Sequence, residues 1–257
     1  MDSVALARGN ARLSNPPQAT GVEMTWVGAE LEALAETTVC LQGAAPDTQW
    51  NGRSAPIGEP FRLRSGDHLR VARISRGARS YLCVEGGLAT DHRPRISPRL
   101  APGDILRSAV GSAHPGFPVP RLSFPHRSDL ETGEIVVRVV LGAHRSLFRE
   151  EGIATFRSSV FRVSSSSDRR GIRLQGPPVA LAGSPDIPPE GIPLGAIQIA
   201  RDGMPMVLGP DRPVTGGYVR IATVIGADFP LLAQAVPGDA VRFVDVDLAE
   251  ALRARVG

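Results

Sequence analysis

Between residues 163 and 227, polar, charged and glycine residues gather at the ends of apolar segments. Strands hand over to loops at such places, and sites are usually assembled there. Ser167-Asp168-Arg169 and Asp211-Arg212 each set a carboxylate beside a guanidinium, and Thr215-Gly216-Gly217-Tyr218 follows closely. Two glycines after a threonine allow backbone N–H groups to approach an anion or a carbonyl oxygen, and the Thr215 hydroxyl adds a donor. Arg212 could fork onto a carboxylate. Each motif has a plainer alternative. Thr-Gly-Gly could be a glycine bulge entering a strand over residues 219–225, with Asp211 and Arg212 paired on the surface. Ser167-Asp168-Arg169 could be an ordinary turn. A polar, anion-friendly cleft is expected, and no reaction is named by these residues alone.

Composition removes several chemistries. All 29 basic side chains are arginine and the chain has no lysine. A lysine Schiff base, a lysine general base, a phosphate-loop lysine and a biotinyl-lysine are therefore excluded on this chain. Any biotin or nucleotide is expected to be carried by another polypeptide. The arginines are scattered, and two Trp and two Tyr offer little stacking surface, so no nucleic-acid binding is expected. The histidines, His68, His92, His114, His126 and His144, lie in no metal-ligand or nucleophile-elbow spacing, and no metal site is proposed. No apolar run is long enough to cross a bilayer and no secretory leader is recognised, so a cytoplasmic protein is expected. Cys40 and Cys83 sit in apolar strand-like runs and are expected as buried thiols; a disulfide is the alternative, though nothing requires one.

The elements that must position these residues are mostly strands. With 257 residues, 42% hydrophobic content, 28 glycines and 23 prolines, the chain suits many short strands in one large β domain or two lobes. Strands are expected over 22–27, 38–41, 69–74, 81–84, 105–107, 134–141, 172–174, 219–225 and 241–246, and the segments 195–199 and 202–208 run between the polar motifs. Helices are expected within 1–17, stopped by Asn15-Pro16-Pro17, and over 148–157. Two more are expected over 229–235, capped by Asp228, and from Asp247 to about Arg255. A Gly-Asp turn feeds a strand at Gly66-Asp67, Gly103-Asp104 and Gly238-Asp239. Proline-rich residues 114–133 read as a connector between a β lobe over 1–113 and a second over 134–257.

Together these residues resemble the biotin-dependent carboxyltransferase family that includes allophanate hydrolase subunit 2, KipA-like proteins and the C subunit of 5-oxoprolinase. The motifs are strongest over Phe161-Arg162-Val163 to Ser167-Asp168-Arg169, Gly171, Arg173-Leu174 and Gly176. They continue at Gly195-Ala196-Ile197-Gln198, Asp202-Gly203, Asp211, Thr215-Gly216-Gly217-Tyr218, Ile221 to Ile225, Asp228 and Leu231-Leu232-Ala233-Gln234. In the first half, Asn15-Pro16-Pro17, Leu41-Gln42-Gly43-Ala44 and Gly77 to Leu82, leading to Gly86-Gly87-Leu88, are similar too.

The resemblance implies a mainly β, two-lobed protein of cyclophilin-like β-barrel architecture with a few short helices. It implies a KipI-like sister protein and a LamB/YcsF-like one, the B and A subunits, together opening the lactam of 5-oxoproline to glutamate with ATP. The related reaction is carboxyl transfer from carboxybiotin to urea. ATP or carboxybiotin would come through the complex, with nothing bound covalently on this chain. Within the matching motifs, Asp168, Arg169, Asp211 and Thr215 are the candidate catalytic residues, and Arg212, Gly216, Gly217, Tyr218 and Gln198 the candidate substrate-binding ones. The two arginines would hold a substrate carboxylate, the aspartates would orient an arginine or take a proton, and Thr-Gly-Gly would steady a carbonyl oxygen. Alternatives are a non-catalytic KipA-like protein that binds a KipI-like partner, and an inactive truncated paralogue. The chain departs from the family pattern by beginning after a segment expected to hold the first strand. The loop over 89–100 is short, no proline stands near Gly142-Ala143-His144, and Arg170 replaces a usual methionine.

Overall fold

The computed structural model describes residues 1–44, 46–89, 98–109, 133–142 and 144–254. The chain divides into two compact units, Asp2–Ser123 and Phe124–Gly257. The expected connector lies outside the described residues apart from Gly133, as do His92, His114, His126 and most of the short 89–100 loop.

The first unit begins with helix α1 (Ser3–Arg12), whose N-terminal N–H groups at Val4 and Ala5 donate to the Asp2 carboxylate at 3.1 and 2.9 Å. Strands follow as β1 (Val22–Thr25), β2 (Glu30–Glu32), β3 (Thr37–Gly43), β4 (Pro46–Trp50), β5 (Arg53–Ser54), β6 (Pro60–Leu63), β7 (His68–Ile74) and β8 (Arg79–Val84). They form two four-stranded sheets, β1-β8-β3-β6 and β2-β7-β4-β5. Alternate residues such as Leu69 and Val71 of β7 join Val39, Leu41, Phe61 and Leu82 in one apolar core. Asn15 does more than stop α1. Its buried carboxamide donates to the Val84 carbonyl at 2.8 Å and accepts from the Gly86 N–H at 2.9 Å, tying the helix exit to the end of β8. Residues 105–107 are not a strand. Ile105 and Leu106 are exposed, and the nearby ladder contact is a single bridge between Leu88 and Ser108.

Cys40 and Cys83 are fully buried free thiols and direct register partners across β3 and β8, packed beneath α1 with Leu6 and Leu13. Gly9 permits that approach, since a Cβ there would lie 2.6 Å from the Cys83 Sγ.

The second unit contains β9 (Glu134–Leu141), α2 (Glu150–Ser158), β10 (Phe161–Val163), β11 (Gly171–Gln175), β12 (Asp186–Gly191) and β13 (Ala196–Ile199). It continues with β14 (Pro205–Leu208), β15 (Thr215–Tyr218), β16 (Arg220–Val224), α3 (Phe229–Ala233), β17 (Ala240–Asp245) and α4 (Leu248–Arg253). Seven of the strands close a barrel in the order β10-β11-β14-β13-β16-β9-β17. All its pairings are antiparallel except β9 with β17, which run parallel from Glu134–Ala240 to Val139–Asp245. The interior is apolar: Ile135, Val137, Val139, Leu174, Ile197, Ile199, Val207 and Val241 are buried together. Phe156 of α2 stacks on Phe243 at 4.7 Å, with Phe161 6.0 Å from Phe243. Removing each such ring from water contributes about 1.5–3 kcal/mol.

Asp247 caps α4 as expected, accepting from the Glu250 N–H at 2.7 Å. Asp228 does not cap α3 with its side chain. Its buried carboxylate instead accepts from the Arg138 backbone N–H at 2.8 Å and from both arms of the Arg138 guanidinium at 2.9 and 2.7 Å. A bidentate charged partner on β9 outcompetes the cap. That contact also raises the Arg138 pKa above its ordinary value.

Burial raises the Cys83 thiol from 9.0 to about 12, with neighbouring Cys40 the lesser cause. A raised folded value means that the folded form resists losing the proton, so this stabilisation is complete below pH 9.0 and fades as pH climbs towards about 12. Urea unfolding followed from about pH 8 to about pH 11 is expected to show stability falling as the unfolded thiol ionises. Cys83→Ala should flatten the part of that slope that the thiol causes, leaving the Tyr81 contribution, whose phenol is also held well above its ordinary value by burial.

Candidate functional site

Two strands of the second unit stand outside the barrel. β12 and β15 pair antiparallel as a ribbon, with Asp186 opposite Tyr218, Glu190 opposite Gly216 and Gly191 opposite Thr215. The ribbon is drawn from the connections β11–β13 and β14–β16, so both of its arms are tethered to the same wall. Alternation along that wall sends Ile197, Ile199 and Val207 inward and leaves Ala196, Gln198, Met206 and Leu208 facing out. Ile192, immediately after β12, buries itself against Ala196, Leu208 and Met206.

The glycines of Thr215-Gly216-Gly217-Tyr218 serve this close approach. A Cβ on Gly216 would lie 2.5 Å from Ile192 Cδ1 and 3.4 Å from Gln198 Nε2, and one on Gly217 would lie 2.8 Å from the Ile187 carbonyl oxygen. Neither glycine has positive φ, and both belong to a paired strand. The backbone cradle expected from Thr-Gly-Gly is therefore absent from this conformation. An extended ladder spends the peptide groups on strand pairing, whereas a nest needs them to converge. Thr215 and Tyr218 are exposed on the ribbon.

The charged candidates come together in a different pairing from the one their sequence order suggests. Arg169 donates to Asp211 through Nε at 2.8 Å and Nη2 at 3.2 Å, a bidentate clasp across two loops. The loops are laced by their backbones as well, Gly209 N–H to the Arg170 carbonyl at 2.8 Å and Asp211 N–H to the Arg169 carbonyl at 3.1 Å. Asp211 thus takes its bidentate partner from the other loop, and not from its sequence neighbour. Arg212 turns the other way, donating from Nε to the Ile192 carbonyl at 3.0 Å and from Nη1 to the Gly209 carbonyl at 3.3 Å. Asp168 is a turn residue whose Oδ1 accepts from the N–H groups of Arg170 and Gly171 at 2.8 and 3.2 Å.

A second polar cluster has no counterpart in the sequence motifs. His144 accepts the Arg220 backbone N–H on Nδ1 at 3.1 Å, which places its ring proton on Nε2, 3.1 Å from Glu190 Oε1. The same Glu190 oxygen takes a hydrogen bond from Arg220 Nη2, while Arg220 Nη1 donates to the Gly191 carbonyl at 3.2 Å. Arg220 therefore grips both the side chain and the backbone of the ribbon. It is also the register partner of Gln198 across β13 and β16. Two cross-strand pairs, Gln198–Arg220 on the barrel and Gly216–Glu190 on the ribbon, are stacked with contacts at both corners. His144, Glu190 and Arg220 are 30 to 76 residues apart in pairs, and no spacing rule joins them.

This geometry has an established setting. The family model for the carboxyltransferase domain, subdomains A and B, matches residues 1–245. The chain belongs to that family. It is 29% identical over 276 residues to the C subunit of 5-oxoprolinase from Haemophilus influenzae, the match covering 99% of this chain and 84% of the relative. Against the same subunit from Escherichia coli the identity is 28%, with the same shares covered. The crystal structure of the K. lactis urea amidolyase superposes with a TM-score of 0.87 and 27% identity, over 98% of this chain and 17% of that one. The mainly β architecture expected from the resemblance is thus present, and no helix among the described residues is long and apolar enough to cross a membrane.

If Arg220 is the fastening of the ribbon, Arg220→Ala should leave the barrel folded and speed amide exchange selectively in residues 186–191 and 215–218. Loss of charge-assisted bonds at this partly buried position should accelerate that exchange on the order of tenfold. Hydrogen-exchange mass spectrometry checks it; uniform acceleration across the barrel would show that Arg220 supports the whole unit.

Proposed function

We propose that this chain is the C-type component of a cytoplasmic, multi-subunit 5-oxoprolinase that opens the lactam of 5-oxoproline to glutamate. The observation that supports this reading is the similarity to the C subunits of 5-oxoprolinase from Haemophilus influenzae and Escherichia coli, which extends over 99% of this chain and 84% of each relative.

In this reading ATP, or carboxybiotin in a carboxyl-transferring relative, is handled by a KipI-like protein and a LamB/YcsF-like protein, the other two components. A chain without lysine carries neither a biotinyl group nor a phosphate-loop lysine, which supports that division. Lactam opening needs a proton moved to the departing ring nitrogen and negative charge steadied on the carbonyl oxygen. Glu190 is the best-placed proton carrier. His144 and Arg220 hold its Oε1, and the side chain remains 37% exposed. Thr215 and Tyr218 offer hydroxyls on the same ribbon. The Arg169–Asp211 clasp and Arg212 hold the loops that frame it.

Coexpression with the KipI-like and LamB/YcsF-like components, followed by an assay for glutamate formed from 5-oxoproline, is expected to give ATP-dependent turnover that disappears when this chain is left out. Glu190→Gln keeps the hydrogen bonds to the ribbon and should lower kcat by about 100-fold or more with little change in KM. A stable complex without turnover, in an assay where the Escherichia coli relative supports it, would favour a KipA-like binding role over catalysis.

A further inference from the structure

The first unit holds two nucleophilic groups that the proposed reaction does not use. Cys40 and Cys83 face each other across β3 and β8, and both thiols are fully buried and free. Two flanking bonds fix the phase of that ladder. The Glu85 N–H donates to the Thr38 carbonyl and the Ala44 N–H to the Arg79 carbonyl, each at 2.8 Å. Counting inward by twos puts Cys40 opposite Cys83 at a hydrogen-bonded position, the wider of the two antiparallel spacings, with Cα atoms about 5.5 Å apart. Their Cβ atoms are then also roughly 5.5 Å apart, whereas a disulfide draws its Cβ atoms to about 3.8 Å. Both sulfurs share one face of the sheet beneath α1, where Leu6 and Leu13 cover them. Each S–H makes a long contact, Cys83 with the Leu6 carbonyl at 3.7 Å and Cys40 with the Leu41 carbonyl at 3.9 Å. Burial keeps both thiols protonated, opposed at Cys40 by the hydrogen-bonded Gln42 side chain and by the Arg12 guanidinium.

We infer that Cys40 and Cys83 form a two-coordinate site for a soft monovalent cation, Cu(I), held in line between the two sulfurs. Two metal–thiolate bonds of about 2.3 Å laid end to end span roughly 4.6 Å, which suits side chains set too wide for a direct S–S bond. The surroundings select the ion. Zn(II) takes four ligands, and among the described residues no group of three or more His, Cys, Asp or Glu side chains could hold an ion. Hard cations take six or more oxygen ligands, whereas a pair of sulfurs under leucine side chains suits a soft ion of low coordination number. Binding exchanges two S–H protons for one cation: M(I) and two RSH give an anionic M(SR)2 unit and two protons, with no change of oxidation state. Gln42 and Arg12 favour that negative charge at the Cys40 end. Entry is governed by α1. That helix is held at its start by the Asp2 N–H to the Tyr81 hydroxyl at 2.7 Å and near its end by the Asn10 carboxamide to the Ala19 carbonyl at 2.8 Å. The ion enters when α1 lifts. The site lies within the first unit and does not depend on the 5-oxoprolinase reading.

The test is anaerobic titration of the purified, reduced full chain with Cu(I), and with Ag(I) as a redox-inert probe of the same coordination preference. One ion per chain is expected, with two protons released and two sulfur neighbours in X-ray absorption. The thermal midpoint should rise with ion concentration. Zn(II) should neither bind nor compete. Cys40→Ala and Cys83→Ala should each weaken Cu(I) binding by at least about 100-fold, with far-UV circular dichroism confirming that the variants are folded. Asp2→Ala, which removes the cap of α1, should speed uptake about fivefold while one ion still binds. If a cysteine variant does not fold, the proton count and the sulfur coordination of the unmutated chain decide. Binding that survives in the double cysteine variant would mean an adventitious ion only. Fewer than two sulfur neighbours, effective competition by Zn(II), or ready formation of a Cys40–Cys83 disulfide with glutathione disulfide would each overturn the inference as well.

Discussion

The parallel pairing of β9 with β17 is the contact on which the second unit depends. It joins the first strand of the barrel to the last, and without it both would be open edges with unpaired backbone groups. It also carries a high entropic cost, because residues more than a hundred positions apart must meet before any of it forms. The interior offsets that cost with a continuous apolar core reaching from Ile135 to Phe243. Arg138 of β9, held by the buried Asp228 at the start of α3, fastens the same strand from outside the core. Closure fixes the wall, and the wall fixes where each outward-facing side chain stands.

The candidate site is built on the outside of that wall. Barrel interiors of this size are filled by side chains, so chemistry has to be sited at the rim or under an added layer. Here the added layer is the β12–β15 ribbon. Ile192 gives it a small apolar anchor, and Gly216 and Gly217 let its backbone lie close. Most of its attachment is polar: Glu190 and Gly191 to Arg220, and the Ile192 carbonyl to Arg212. A layer fastened mainly by charge-assisted hydrogen bonds at its edges opens at lower cost than one fastened by a buried core.

The charged residues divide accordingly. Arg169 and Asp211 clasp two loops together, and Arg212 reaches the Ile192 and Gly209 carbonyls. Glu190 keeps Oε1 engaged by His144 and Arg220 on a side chain that is 37% exposed. Gln198 is the buried one among the proposed binding residues.

Much of the fold was readable in one dimension. β9 was legible to the residue, and β7, β8 and β17 to within two, because apolar runs rich in β-branched residues between turn signals read as strands. Asp247 was legible as a cap, since that bond is local. Asp228 looked like the same signal and was not, because a guanidinium ninety positions away takes its carboxylate. The ribbon strand β12, with two prolines in Asp186–Gly191, carries no alternation and was invisible. The sequence by itself determined the family, the β-rich class and the residue types available for chemistry, lysine excluded. Only tertiary structure decided which carboxylate meets which arginine, that Gly216 and Gly217 serve packing, and that His144, Glu190 and Arg220 share one place. Those are long-range pairings set by barrel closure, and local sequence encodes the ends of such contacts without encoding who meets whom.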